Sequence, residues 1–332
     1  MPPIKPRRPT RADVAREAGV APSTVSLILR DRGDDLRIPV VTQERVREAA
    51  RLLGYYPNRH IQSVLKGRSG ILGLYLRWDQ WSTPVGYWPT VFWCIQKAAA
   101  ELDIQLLVHN ARADTPTEEN FARQAGGIVD GVMIVNSGDD PIVKRILEVG
   151  LPAVEVGDPY SLLPFVGLES KQGIRLAMEH LKERGYRRPA LFMPPSNYQA
   201  NAQARVEEFL CCCDELFELE HPASRVLSRR GFFEHLLALD PKPDSVICNS
   251  DSLAYLALKR CNERGLRVPE DLAIIGYDAL ETEGCLRTLT SVQTPLEEMA
   301  RLALRKLLQI VNGEPFEHQT ILPVGLRVGD TT

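Results

Sequence analysis

The sequence predicts an α/β fold in two parts. An N-terminal three-helix unit of helix-turn-helix type spans 1–56, a hinge spans 57–70, and a two-lobed body with parallel sheets spans 71–332. Three observations carry this reading. Residues 1–70 hold 14 Lys and Arg against 7 Asp and Glu, net +7, whereas the rest of the chain is net −10. Short apolar-periodic segments closed by glycine fill the first 56 residues. From residue 71, apolar runs of strand length alternate with stretches of helical period, the pattern of parallel strands covered by helices on both faces.

Composition narrows the function classes. With 44% hydrophobic and 25% charged residues in 332, the chain has core material for more than one soluble domain. The first apolar run, Ile71–Leu76, is far short of a membrane span. The opening MPPIKPRRPT has no apolar stretch behind its basic residues, so no secretion leader is read. A cytoplasmic protein without a membrane partner is expected. The seven cysteines form no paired CxxC spacing and are read as reduced thiols, since adjacent Cys211, Cys212 and Cys213 on a helix cannot all face one ion. The six histidines show no metal-ligand spacing, and neither a GxSxG elbow nor a glycine-rich phosphate loop is present. The expectation is a non-enzyme without metal or cofactor.

In the basic unit, Thr10 precedes Asp13 by three residues, a spacing that closes a capping box. Val14, Ala15 and Ala18 give the apolar face, and Gly19 a left-handed stop. Pro22 suits the first position of a second helix, which Thr24, Val25 and Ile28 continue. Two helices of seven to eight residues joined through a glycine turn have helix-turn-helix geometry. Val46, Ala49, Ala50 and Leu53, closed by Gly54, make a third helix. In the hinge, Ile61, Val64 and Leu65 share a helical face too short to be stable alone in water.

The body reads as strand Ile71–Leu76, helix Val91–Leu102, strand Ile104–Val108, a helix, and strand Val129–Val135. The pattern then restarts with helix 171–184, strand 189–193, helix 201–212, strand Pro243–Asn249, helix 252–264 and strand Leu272–Tyr277. Two such lobes imply a cleft between them, the usual place for a small ligand.

The segments Asp13-Val14-Ala15, Ala18-Gly19-Val20, Ser23-Thr24-Val25-Ser26 and Leu53-Gly54-Tyr55, with Pro57-Asn58-Arg59, resemble the headpiece of the LacI/GalR family of bacterial transcriptional regulators. The resemblance continues through Val129-Asp130-Gly131, Arg205 with Phe209, Asp251, Val268–Asp271, Gly276-Tyr277-Asp278 and Leu289–Gln293. It implies a body like a periplasmic sugar-binding protein.

On DNA the resemblance assigns base reading to Pro22, Ser23 and Leu27, and helix support or phosphate contact to Thr24 and Ser26. In the hinge it assigns groove or phosphate contacts to Asn58 and Arg59, and minor-groove positions to Ile61 and Val64, the latter where a leucine usually wedges a base step. Ala21 replaces the usual hydroxyl cap, and the loop after the second helix is about three residues longer than the family's common length. In the cleft the resemblance assigns effector contacts to Tyr87, Trp88, Arg205, Ser250 and Asp278. Gly157 stands where an aspartate is usual, with Asp158 immediately after, and Trp78 and Trp81 fall in a loop after the first strand.

The implied protein is a homodimer reading a near-palindromic double-stranded operator, most simply a repressor released by a carbohydrate-like effector. Corepression by the ligand, and a sensor whose headpiece binds protein instead of DNA, are the alternatives. Leu27 carries a prediction of its own. Arginine is common at that position and takes guanine O6 and N7 bidentately, whereas leucine offers only apolar contact, for example to a thymine methyl. Leu27→Arg is expected to move preference toward guanine at one symmetric pair of operator positions in a randomised operator library; an unchanged preference refutes the assignment.

Overall fold

The computed structural model describes residues 9–30, 32–56, 68–77, 86–111, 114–125, 128–135, 140–157, 161–193, 200–219, 222–227, 231–280 and 288–332. Contacts divide the chain into two units, Met1–Ser69 and Gly70–Thr332.

In the first unit, α1 spans Arg11–Ala18, α2 Pro22–Ile28 and α3 Val40–Leu53. The Thr10–Asp13 capping box is formed, and Gly19 and Gly54 close α1 and α3 in the left-handed region. Ala21 supplies no side-chain cap to α2, so Pro22 alone sets that start. Val14, Val25, Ile28 and Val46 are fully buried among Ala15, Ala18, Ala49 and Ala50. The alanines let three short helices approach closely around four aliphatic side chains.

The loop between α2 and α3 is built around Gln43. This side chain is 3% exposed, and its Nε2 donates to Asp34 Oδ1 (2.8 Å) and to the Ile38 carbonyl (3.0 Å). Gly33 lies directly against it, where a Cβ would come within 2.5 Å of the Gln43 amide carbon. The Arg32 amide bonds back to the Leu27 carbonyl, tying the loop to the end of α2.

The second unit holds two six-stranded sheets. The first contains β1 (Ile71–Arg77), β2 (Gln105–Ala111), β3 (Gly131–Val135), β4 (Ala153–Val156), β5 (Phe165–Leu168) and β11 (Gln319–Leu322), in the order β11-β5-β4-β3-β1-β2, all parallel. The second contains β6 (Pro189–Phe192), β7 (Val226–Leu227), β8 (Ser245–Cys248), β9 (Ala273–Asp278), β10 (Thr290–Gln293) and β12 (Gly325–Arg327), in the order β12-β10-β9-β8-β6-β7. Only β12 runs antiparallel there.

The helices are α4 (Tyr87–Glu101), α5 (Thr117–Ala125), α6 (Ile142–Val149), α7 (Ser170–Glu183), α8 (Ala200–Phe217), α9 (Phe232–Ala238), α10 (Asp251–Glu263) and α11 (Leu296–Asn312). Both faces of each sheet are buried, and the strands alternate between them. Leu72, Leu74, Leu76, Met133 and Val135 join one core, and Tyr75, Val132 and Ile134 join another. Ile247, Ala273, Ile275 and Tyr277 face opposite to Val246, Cys248 and Ile274 in the second lobe. This is why the strands read as continuous apolar runs.

The chain passes between lobes three times: from β5 through α7, from β10 into α11, and from β11 to β12. Helix α11 packs on α4, β3, β4 and β5 of the first lobe. There the buried Lys306 amine donates to the Phe165 carbonyl (2.9 Å) and Thr320 Oγ1 (2.8 Å), and burial pulls its pKa down. No helix among the described residues is long and apolar enough to cross a membrane.

Removing a donor from two buried acceptors costs about 1–3 kcal/mol. Gln43→Ala is therefore expected to lower stability of the first unit by that amount and to speed hydrogen exchange at the Ile38 amide, which bonds to Gly33, without changing exchange in the second-lobe sheet.

Candidate functional site

Two sites emerge, one in each unit. In the first, α2 buries Val25 and Ile28 and leaves its opposite side open. Pro22 and Ser23 are exposed, and Thr24, Ser26 and Leu27 are half-buried. Arg11 Nη1 donates to Ser26 Oγ (2.9 Å), coupling α1 to α2 and leaving the hydroxyl proton free to donate. A short helix with an exposed first turn of small side chains has the dimensions to present itself to base edges in a major groove. Asn58, Arg59, Ile61 and Val64 lie outside the described residues.

The second site lies at the carboxyl ends of the strands in the body. Tyr87 and Trp88 occupy the first turn of α4, which starts four residues earlier than the apolar period alone suggests, with Gly86 as its N-cap. Their rings meet edge-on at 4.7 Å. From the other lobe, Arg205 on α8 lays its guanidinium over the Tyr277 ring (3.5 Å) and donates through Nη1 to the Asn249 side-chain oxygen (2.7 Å) and carbonyl (3.0 Å). Its Nε is buried with no hydrogen-bond partner among the described residues. Asp278 ends β9 at φ 105°, a strained backbone for an L residue, and is 5% exposed.

Electrostatics ties these residues together. Burial pushes the Asp278 carboxyl well above the usual carboxylate range, with the Arg205 charge opposing and Asp251 adding to the rise. Burial also raises the Tyr87 phenol, helped by the Asp278 carboxylate and opposed by Arg205. Tyr87, Arg205 and Asp278 thus share one electrostatic neighbourhood across the cleft, with Trp88 beside Tyr87.

Asp251 fixes the backbone that carries Asp278. Its Oδ1 accepts from Ser291 Oγ (2.5 Å) and its Oδ2 from the Leu280 amide (2.6 Å), while Ser291 Oγ accepts from the Ala279 amide (3.0 Å). Burial raises the Asp251 carboxyl to about 6, against the lowering effect of those bonds. Ser250 caps α10, its Oγ accepting from the Leu253 amide (3.4 Å), so its hydroxyl already has a structural task.

Gly157, after β4, sits at φ +100°, and a Cβ there would lie 3.1 Å from Trp88 Cη2. Its carbonyl accepts from Asn201 Nδ2 of α8, a direct bond between lobes. Sequence reasoning missed Asn249 and Asn201. Asn249 lies one residue from the Ser250 that was chosen; nothing in the local pattern singles out Asn201. Asp158, Trp78 and Trp81 fall outside the described residues. Among the described residues no cluster of His, Cys, Asp and Glu forms a metal site.

Raised by burial, the Asp251 pKa makes the folded state hold its proton more tightly than the unfolded chain. Stability from this group is therefore present at low pH and is lost as pH rises from about 4 through about 6. Relative to Asp251→Asn, the wild-type protein is expected to lose on the order of 2–3 kcal/mol over that window, read by denaturant unfolding at each pH. Parallel pH profiles for the two proteins refute this.

Comparison with known proteins agrees with both sites. Residues 10–58 match the sequence profile of bacterial regulatory proteins of the lacI family, and residues 178–332 that of a periplasmic binding protein-like domain. The HTH-type transcriptional regulator CelR of Thermobifida fusca is 30% identical over 329 residues, covering 94% of each chain. The ribose operon repressor of Halalkalibacterium halodurans is 27% identical over 97% of each chain. Among solved structures, a CelR–cellobiose complex aligns with a TM-score of 0.71 at 27% identity, covering 98% of this chain and 100% of that one. A lac repressor dimer bound to operator and an anti-inducer shares the fold at a TM-score of 0.82 and 22% identity, over 98% and 99% of the two chains. With an exposed reading helix in one unit, a two-lobed cleft in the other and end-to-end likeness to CelR, the chain belongs to the LacI family of bacterial transcriptional regulators.

Proposed function

We propose that this regulator is a cytoplasmic homodimeric repressor that leaves a near-palindromic operator when a carbohydrate effector enters the cleft of its body. Boundaries at 1–56, 57–70 and 71–332 separate reading, hinge and sensing. The observation that carries the effector reading is the meeting of Tyr87, Trp88, Arg205 and Asp278 at one cleft. Rings supply an apolar face, while a guanidinium with an unpartnered Nε and a carboxyl supply hydrogen bonds for hydroxyls. CelR binds cellobiose in its solved complex, and other relatives are named for ribose and sucrose operons, which places sugars first among candidates.

The mechanism follows from the bridging contacts of the body. Asn201 of the second lobe holds the Gly157 carbonyl of the first, so a ligand seated between Trp88 and Arg205 acts on elements already linked across the cleft. A ligand changes operator affinity only to the extent that it binds the DNA-competent and DNA-free states unequally. Two-fold symmetry lets a pair of α2 helices read two half-sites. DNA contact through phosphates makes binding fall steeply with salt.

The test is selection of bound genomic fragments by the full-length protein, with and without cellobiose and a set of simple sugars. One enriched palindrome whose recovery drops with a particular sugar is expected. Recovery that rises with sugar points to corepression, and absence of any enriched sequence overturns the operator-binding reading.

A further inference from the structure

The first-lobe wall of the cleft is built differently from the second. At φ +100° Gly157 occupies a backbone region that side-chain-bearing residues rarely enter, and the far ring of Trp88 lies where a Cβ would be, with Cη2 at 3.1 Å and Cζ3 at 3.5 Å. The backbone polar groups of Gly157 are both engaged, the amide by the Val166 carbonyl (3.0 Å) and the carbonyl by Asn201. Asn201 is itself oriented by Ser170, whose Oγ donates to its Oδ1 (3.3 Å). Glycine and indole therefore form a flat surface with neither a carboxylate nor an unpaired backbone group. On the opposite wall Arg205 keeps an unpartnered Nε, and Asp278 has no hydrogen bond to its carboxyl among the described residues. Polar recognition is one-sided.

We infer that Gly157 is a specificity-determining residue: by admitting the Trp88 indole flush against the backbone, it makes a floor for the bare C–H face of a pyranose whose hydroxyls are all equatorial. The inference rests on the reading that the cleft takes a carbohydrate. An axial hydroxyl turned onto that floor loses its water and meets no partner. Such an unpaired group weakens binding by about tenfold or more. Hydroxyls at the ring edge point away from the indole and reach the Arg205 and Asp278 side.

Calorimetric titration of the full-length protein with three named sugars tests this. Methyl β-D-glucopyranoside has every hydroxyl equatorial, whereas the β-galactoside and β-alloside each carry one axial hydroxyl, on opposite ring faces. Whichever face lies on Trp88, one epimer turns a hydroxyl toward it. The expected result is that the glucoside binds, that at least one epimer binds about tenfold more weakly or worse, and that the gap closes in Trp88→Ala but survives in Trp88→Phe. Gly157→Ala, which displaces the indole, is expected to weaken the glucoside, shift tryptophan emission and narrow the gap, and it serves as the readout should Trp88→Ala fail to fold. Equal binding of all three sugars, a gap that survives both Trp88→Ala and Gly157→Ala, or no binding of any of the three overturns the inference. Retention of operator fragments by the same preparation separates that failure from failure of the regulator reading.

Discussion

The body is organised around a buried guanidinium. Arg205 is 8% exposed, and burying such a charge is costly unless it is compensated. Compensation comes from three directions: the face of Tyr277, the side chain and carbonyl of Asn249, and the field of Asp278. Each belongs to a different strand end of the second lobe, so the charge is held by the sheet itself. Tyr277 is pinned in turn by a bond from its hydroxyl to the Ser170 carbonyl at the start of α7, where the chain has just left the first lobe. The ligand-facing charge and the crossing between lobes are parts of one packed arrangement.

A second buried acid shows how that arrangement is kept stiff. Asp251 makes no contribution as a ligand group; both of its oxygens are spent on the 278–280 backbone and on Ser291. It stands so close to Gly276 that a Cβ there would meet its Oδ1 at 2.2 Å. Arg327 donates to the Ala279 carbonyl (3.2 Å) from β12, the strand reached by the last crossing. Positive φ at Asp278 and Ala279 is thus held by contacts from α10, β10 and β12. Strain of this kind persists only where surroundings over-determine it, and here it aims one carboxyl into the cleft.

How much of this was legible in the sequence depends on the range of the interaction. The capping box at Thr10, the glycine stops and the proline start of α2 are local, and they stand where the spacing put them. Strands buried on both faces were visible as apolar runs. Strands β4 and β5, four residues each, are too short to show a period, and α11, although strongly amphipathic, belongs to the first lobe only through a crossing that no local pattern reveals. At the site, Tyr87, Trp88, Arg205 and Asp278 were reached through resemblance, whereas the cap formed by Ser250 and the anchoring by Asn249 and Asn201 depend on partners about 40 residues away or on backbone geometry. The extended loop after α2 was read from its charges; its structure turns on Gln43, a polar residue inside a helix whose burial no periodicity announces.

The same contrast separates the two units physically. The first has eight small or aliphatic residues as its buried cluster and depends on caps, a proline and one buried amide for the rest. A core of that size leaves little surplus stability. The second unit buries both faces of two sheets and accommodates a charged arginine, a protonated carboxyl and strained backbone beside its cleft. Costs of that kind concentrate where the surrounding core is large enough to offset them, which is why sensing is built into the body while DNA reading is left to a small unit with an exposed helix. A regulator divided in this way can alter its reading residues, as at Leu27, or its ligand wall, as at Gly157, without either change touching the packing on which the other depends.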